Sequence, residues 1–272
     1  MSAPGQDTAP PGEPPTPTPE PMALDPIKQL QAELAHARAE LEDFTYSVSH
    51  DLRASLRHVT SYVQIIQEDL EESINADIGP HLITVNQAAR QMGRQIDGLM
   101  ALSRLTAVEL QWVALDMTAL VREVLAELTP GLRGRVMEWQ LASDCPVLQG
   151  DATLVREALT HLLDNACKFT AAQPQGCISV TWQLQPDGRC AVTVGDNGAG
   201  FNPAYKPKLF RAFQRLHSAR EFEGLGMGLA LTRKIVERHG GTVWADGAIN
   251  AGCQVSFTLP LAAAPVPQTC SA

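Results

Sequence analysis

Apolar residues in the first third of the chain recur in alternating steps of three and four. Ile27, Leu30, Leu34, Ala37, Leu41, Phe44 and Val48 follow one another in this way, which is the spacing of a coiled-coil seam. The seam resumes as Leu52, Leu56, Val59, Val63, Ile66 and Leu70 after two consecutive steps of four, a stutter at which a supercoil locally unwinds. Asp25 followed by Pro26 supplies a capping residue and a proline at the first helical position, so one helix is predicted from there to about Ser73. Gly79-Pro80 breaks the chain, and Leu82, Val85, Ala89, Met92, Ile96, Leu99 and Leu102 mark a second, antiparallel helix. A two-helix hairpin leaves an apolar stripe on each helix that it cannot cover alone, so a symmetric dimer closing a four-helix bundle is predicted. The alternative is a hairpin packed on the domain behind it. The heptads from Ile27 to Val48 favour the dimer, because they extend beyond the second arm.

From about Trp112 the pattern changes to alternating strands and helices, which predicts an α/β domain. Helices are predicted at 117–129 behind Asp116, at 153–169, and from about 226 to His239. Strands are predicted at 136–141, 147–149, 178–184, 191–195, 242–245 and 254–259, the pair 178–184 and 191–195 forming a hairpin through Pro186-Asp187-Gly188. The predicted organisation is a disordered proline-rich tail over 1–25, a helical hairpin over 26–110, an α/β sandwich over 111–262, and a disordered tail over 263–272.

Composition narrows the partners. Of 272 residues 44% are apolar, enough to bury a core, and the net charge of −9 argues against nucleic acid and anionic membrane. No run approaches the about 18 apolar residues of a membrane span, and the first 26 residues lack the features of a signal peptide, so a cytoplasmic protein is predicted. Cys145, Cys167, Cys177, Cys190, Cys253 and Cys270 lack metal-ligand spacing and are read as free thiols.

His50 lies in the run Ser47-Val48-Ser49-His50-Asp51-Leu52-Arg53, two residues beyond the seam position Val48. That offset is a rotation of roughly 200° around the helix, which turns the imidazole toward solvent. A neutral imidazole is an able nucleophile toward phosphorus near pH 7, and Asp51 can hold its tautomer or accept its ring proton.

Three further runs carry candidate chemistry. In His161-Leu162-Leu163-Asp164-Asn165-Ala166-Cys167-Lys168-Phe169 the residues His161, Asn165 and Lys168 share one helix face, while Leu159, Leu162, Leu163 and Ala166 face the core. An amide oxygen suits Mg²⁺, and a lysine one turn on can reach phosphates. In Asp196-Asn197-Gly198-Ala199-Gly200 the glycines after a strand admit close approach of a ligand, and the carboxylate can accept from an exocyclic amine such as adenine N6. In Gly224-Leu225-Gly226-Met227-Gly228 three alternating glycines open a helix and offer free N–H groups to phosphate. Each run alone is also an ordinary helix face or turn.

Together the runs are specific. The stretch from Phe44 to Arg57 resembles the phospho-acceptor box of two-component sensor histidine kinases. The three later runs, with Lys208-Leu209-Phe210-Arg211-Ala212-Phe213-Gln214-Arg215-Leu216-His217 between them, resemble the boxes of the family's GHKL-type ATP-binding domain, most nearly those of the bacteriophytochrome type. The resemblance covers about residues 44 to 260. It implies ATP and Mg²⁺ as cofactors, His50 as the phosphorylated residue with Asp51 as base, Asn165 with His161 at the metal, Asp196 at adenine, and Lys168 and Arg215 at the phosphates. Phe169 and Gly198, Gly200, Gly224, Gly226 and Gly228 would complete the nucleotide site, and the segment from 202 to 224 would form a mobile lid. Four positions depart from the family pattern. Ser55 stands in place of proline, Ala54 in place of Thr or Asn, His161 in place of Asn, and Leu225 in place of Thr or Ser.

The resemblance implies a dimeric protein-histidine kinase that phosphorylates itself on His50 and passes the phosphoryl group to an aspartate of a response regulator receiver domain. Its input would come from a separate sensory protein. The alternative is a catalytically weak scaffold that binds a partner kinase or regulator.

Overall fold

The computed structural model of the chain describes residues 26–69, 78–132, 134–218, 221–222 and 224–262, with the backbone alone at 27, 38, 42 and 69. The two tails expected at 1–25 and 263–272 lie outside these residues, as do Leu70 of the seam, the expected helix end at Ser73, and Cys270. Residues up to Leu41 and those from Glu42 onward form separate units, each taken by itself here.

Helix α1 (Pro26–Asp69) is continuous over 44 residues. Its stretch up to Leu41 carries the i,i+4 pairs Gln29 with Glu33 and His36 with Glu40, and leaves Leu30 and Leu34 exposed. Helix α2 (Gly79–Ala107) opens with Pro80 in its first turn. In the unit from Glu42 onward Arg53 of α1 reaches the carboxylate of Asp97 and the sulfur of Met100 on α2. That contact fixes the direction of the pair. Were the helices parallel, Asp69 and Gly79 would stand about 50 Å apart, beyond the ~35 Å that the connecting residues can span, so they run antiparallel.

The single stripe read on each helix divides in two. Of the α1 seam only Leu56 and Val63 are covered, and the rest of the covered face is Thr45, Ser49, Arg53 and Thr60, one residue round from the expected line. Phe44, Val48, Leu52, Val59 and Ile66 remain between 39% and 67% exposed. On α2 Ala89 is buried, while Val85, Met92 and Leu99 face solvent. The seam expectation is corrected to this extent: most of those residues point away from the partner helix in the same chain, because one residue of offset rotates a side chain by roughly 100°.

The α/β part contains β1 (Val113–Leu115), α3 (Met117–Leu128), β2 (Met137–Leu141), β3 (Leu148–Gly150), α4 (Ala152–Phe169), β4 (Gly176–Leu184), β5 (Arg189–Asp196), α5 (Gly228–Arg238), β6 (Val243–Gly247) and β7 (Cys253–Pro260). Asp116 caps α3 by accepting from the Ala119 N–H, and Asp151 caps α4 by accepting from Thr153 and Leu154. Strand β2 pairs in parallel with β4, and the remaining neighbours in the order β2-β4-β5-β7-β6 are antiparallel. The expected hairpin is β4-β5, with Val180 opposite Val194. Strand β1, which pairs with β3, was not foreseen, since three residues are too few to show an alternation.

One face of the sheet is sealed. Ile178, Val180, Val192, Val194, Phe257 and Leu259 form a continuous core with Met117, Val121 and Val124 of α3 and with Val155, Leu159 and Leu163 of α4. A smaller cluster joins Leu105 of α2 to Leu154 and Ala158 of α4 and to Met227, Leu231 and Ile235 at α5. The Arg238 guanidinium donates to the Leu105 carbonyl at 2.6 Å across this contact. Buried His239 ties the far ends of α4 and α5 together: its Nε2 accepts from the Asp151 N–H at 2.9 Å and its Nδ1 donates to the Ile235 carbonyl at 2.8 Å. These ties set the spacing between α4 and α5, which wall the site.

Candidate active site

The helical period of α4 divides its residues between core and cavity. Leu159 and Leu163 are fully buried in the core, and on the other side His161, Asp164, Asn165, Lys168 and Phe169 line a cavity of about 390 Å³. The sheet contributes Val194, Asp196, Cys253 and Val255 to it, the following loops contribute Gly200, Phe201 and Gln214 to His217, and the glycine run contributes Gly224 to Gly228. Sequence-expected residues from all three runs therefore meet at one place.

Asp196 ends β5 and accepts from the Gly198 N–H at 2.8 Å. Burial pushes its carboxyl up to about 6, partly offset by the hydrogen bonds from the Gly198 and Cys253 backbones. The turn beyond it is held by glycines. A Cβ on Gly198 would lie 2.4 Å from the Phe169 carbonyl oxygen, and Gly200, at φ +60, would place one 1.8 Å from the Ala248 oxygen. Only glycine fits there. Asn197 is turned away, its side chain bridging the Cys177 N–H and the Gln175 carbonyl.

The Phe169 ring contacts both His217 and Phe222, with centroids at 5.3 and 4.9 Å. Lys168 is paired with Asp164 one turn back on α4. Arg215 donates to the carbonyls of Ser218 and Phe222. Both cations are thus engaged within the protein while lining the cavity. His161 packs at 3.4 Å from where a Gly228 Cβ would sit, and its Nε2 is buried without a hydrogen-bond partner, Glu157 being 3.7 Å away. Gly226, at φ +72, would bring a Cβ to 2.4 Å from the Gln214 oxygen, so the glycine run is locked against the preceding loop, while at Gly224 the surroundings are open.

His50 and Asp51 are not among the cavity residues. Both side chains are exposed, at 62% and 81%, with His50 Nδ1 3.4 Å from Asp51 Oδ1. The Ser55 hydroxyl bonds to the Asp51 carbonyl at 3.0 Å, the carbonyl that a proline at that position would leave without its amide partner.

Sequence reasoning gave no role to Gly252, Asp164, His217, Phe222 or Cys253. Gly252, at φ +81, would place a Cβ 1.9 Å from the Asp196 oxygen, a close approach that no local pattern announces. Cys253 lines the cavity, its thiol pushed up to about 12 by burial and then by the charge of Asp196. The thiols of Cys145 and Cys190, distant in sequence, are hydrogen-bonded to one another, and all five described cysteines are free.

A two-layer α/β domain with a cavity between α4, α5 and a glycine-bearing turn is a nucleotide-binding architecture, and residues 150–263 match the model of the histidine kinase-, DNA gyrase B-, and HSP90-like ATPases. The chain is 35% identical over 235 residues to the methanogenesis regulatory histidine kinase FilI of Methanothrix harundinacea (strain 6Ac), covering 86% of this chain and 26% of that protein. It is 31% identical over 268 residues to the adaptive-response sensory kinase SasA of Synechococcus sp. (strain JA-3-3Ab), covering 94% of this chain and 69% of that one. The chain belongs to the two-component sensor histidine kinases. Full-length ShkA, solved in complex with AMPPNP, shares the fold with a TM-score of 0.59 at 24% identity, over 82% of this chain and 47% of that one. Against FilI the chain spans about a quarter of the relative's length. Among the described residues no helix is long and apolar enough to cross a membrane.

Proposed function

We propose that the chain is an ATP-dependent protein-histidine kinase that phosphorylates His50 and passes the phosphoryl group to an aspartate of a receiver domain. The observation that carries this reading is the gathering of Asn165, Lys168, Asp196 and the 224–228 glycines around one cavity, with a solvent-facing histidine elsewhere on the chain.

The residues present fit a nucleotide with a divalent cation. Asp196 offers a buried acceptor beside a turn made only of backbone and glycine, and the unpartnered His161 Nε2 faces no protein group. Among the described residues no cluster of three His, Cys, Asp or Glu side chains exists to hold a metal alone, so Asn165 would share the ion with phosphate oxygens. Bound Mg-ATP supplies the activated phosphoryl group and much of the charge neutralisation. Asp196 orients the base. Lys168 and Arg215 exchange Asp164 and the loop carbonyls for phosphate oxygens.

At His50 the neighbouring Asp51 favours the tautomer with hydrogen on Nδ1, leaving the Nε2 lone pair free. Nε2 attacks the γ-phosphorus, the N–P bond forms as the bond to the departing ADP breaks, and the Nδ1 proton passes to Asp51. Because His50 lies outside the cavity lining, the ATP-binding part must be brought to the histidine of the same or a second copy. The exposed stripes on α1 and α2 support a homodimer. The boundary between the two functional parts falls near residue 110.

The test is incubation with labelled Mg-ATP. Label that is acid-labile and base-stable is expected, lost in His50→Gln and in Asn165→Ala, and retention in His50→Gln would overturn the assignment. The scaffold alternative rests on Leu225, which lines the cavity without a hydroxyl, and predicts nucleotide binding with no labelling.

A further inference from the structure

His217 is the one aromatic side chain that touches two separate walls of the cavity. Its Nε2 lies 2.8 Å from the Gly200 carbonyl, which can only accept, so that nitrogen carries the hydrogen. Its ring packs against Phe169 at 5.3 Å and Phe222 at 5.1 Å. The other two corners are themselves joined, because the Ala199 N–H donates to the Phe169 carbonyl at 3.1 Å and Gly198 lies close against that same carbonyl. The result is a closed triangle of α4's last residue, the turn that presents Asp196, and the chain carrying Gln214 and Arg215. Gly200 and Gly252 make the turn rigid, since any Cβ there would strike backbone. The loop at 214–218 has no such constraint of its own beyond the glycine contact at Gly226.

We propose that His217 is a positioning residue of the nucleotide site: its Nε2–H bond to Gly200 and its stacking on Phe169 hold the Gln214 and Arg215 wall against the Asp196 turn. The inference rests on the nucleotide-site reading for its consequence. Its geometry exists without any ligand, so the two are separable by experiment.

Two substitutions divide the contributions. His217→Phe keeps the ring and removes the donor, and His217→Gln keeps an N–H donor of similar reach and removes the ring. In the full chain without nucleotide, trypsin should cut after Arg211 and Arg215 faster in both variants than in the parent. Titration with a fluorescent ATP analogue should show each variant binding roughly fivefold more weakly, the scale of one lost hydrogen bond or ring contact. The denaturant midpoint should hold, since the ring sits at the rim of the core. Unchanged cleavage in both variants overturns the proposal, and so does an affinity loss that merely follows a falling midpoint. If the parent chain binds no ATP analogue, the kinase reading falls while the cleavage rates still decide the role of His217.

Discussion

Phe257, in the middle of the sheet, is 1% exposed, whereas Phe44 on α1 is 67% exposed, although both occupy apolar positions of a regular pattern. The difference is one of completeness. The α/β part closes its apolar face with its own helices, so strand alternation and helix period predict burial correctly. The hairpin has two helices and more apolar surface than they can cover, and its covered face includes Thr45, Ser49 and Thr60 rather than the larger Phe44, Val48 and Leu52. A pattern says which residues leave water. It does not say which chain covers them. The same contrast fits the proposed chemistry: a self-contained pocket can hold a nucleotide, and an uncovered bundle face suits a second copy beside the exposed His50.

The largest expected effect breaks the comparison on its sealed side. Phe257→Ala should cost about 3–5 kcal/mol in denaturant unfolding, because neighbours on both sheet and helices cannot collapse into the space. Phe44→Ala should cost under about 0.5 kcal/mol in a dilute monomer. In a concentration series by light scattering, the Phe44 variant should instead lose association. A Phe44 variant as destabilised as the Phe257 variant at low concentration, with association unchanged, would show that the stripe is covered within one chain.

Legibility in the sequence followed the same division. The capping aspartates, the β4-β5 hairpin and the face of α4 that carries His161, Asn165 and Lys168 were readable because each depends on a local rule of spacing or turn chemistry. What stayed hidden depends on backbones far apart in sequence. Gly252 is required by the Asp196 carbonyl, Cys145 meets Cys190 through the sheet, and Lys168 meets Asp164 in a pairing whose spacing was visible but whose competition with phosphate was not. The offset of the α1 seam has another cause, since a single stripe cannot encode two partners.

Asp196 gives a middle-sized test within the sealed part. Its carboxyl is pushed up to about 6, above the ordinary 3.8, so the folded protein holds the proton more tightly than the unfolded chain. The sign follows: ionising Asp196 costs stability, the cost grows as pH rises from about 4 to 6, and it is fully present above that. Asp196→Asn keeps an acceptor for Gly198 and removes the charge. It should stabilise the empty protein by about 2 kcal/mol at pH 8 and change nothing at pH 4. The same variant should bind an adenine nucleotide more weakly, and in the parent affinity should fall as pH drops below 6. Equal stability of the two proteins at pH 8 would mean that the carboxylate is better solvated than its surroundings suggest.

The smallest effect is expected where α1 and α2 are pinned by charge one turn beyond His50. Arg53 is one-third exposed and Asp97 is 60% exposed, so their ion pair is screened and contributes on the order of 0.5 kcal/mol. Arg53 has a second role, because its stem and guanidinium cover Met100, which is 4% exposed. Arg53→Ala should therefore cost about 1 kcal/mol and Asp97→Asn less, since only the first uncovers apolar surface. Lys at position 53 should restore most of the charge term and little of the packing. A double-mutant cycle read at low and high salt separates these: the coupling between the two positions should shrink with salt, while the excess cost of Arg53→Ala should not. Coupling that persists at high salt would show a desolvated pair and a hairpin held more by its charges than its exposed geometry allows.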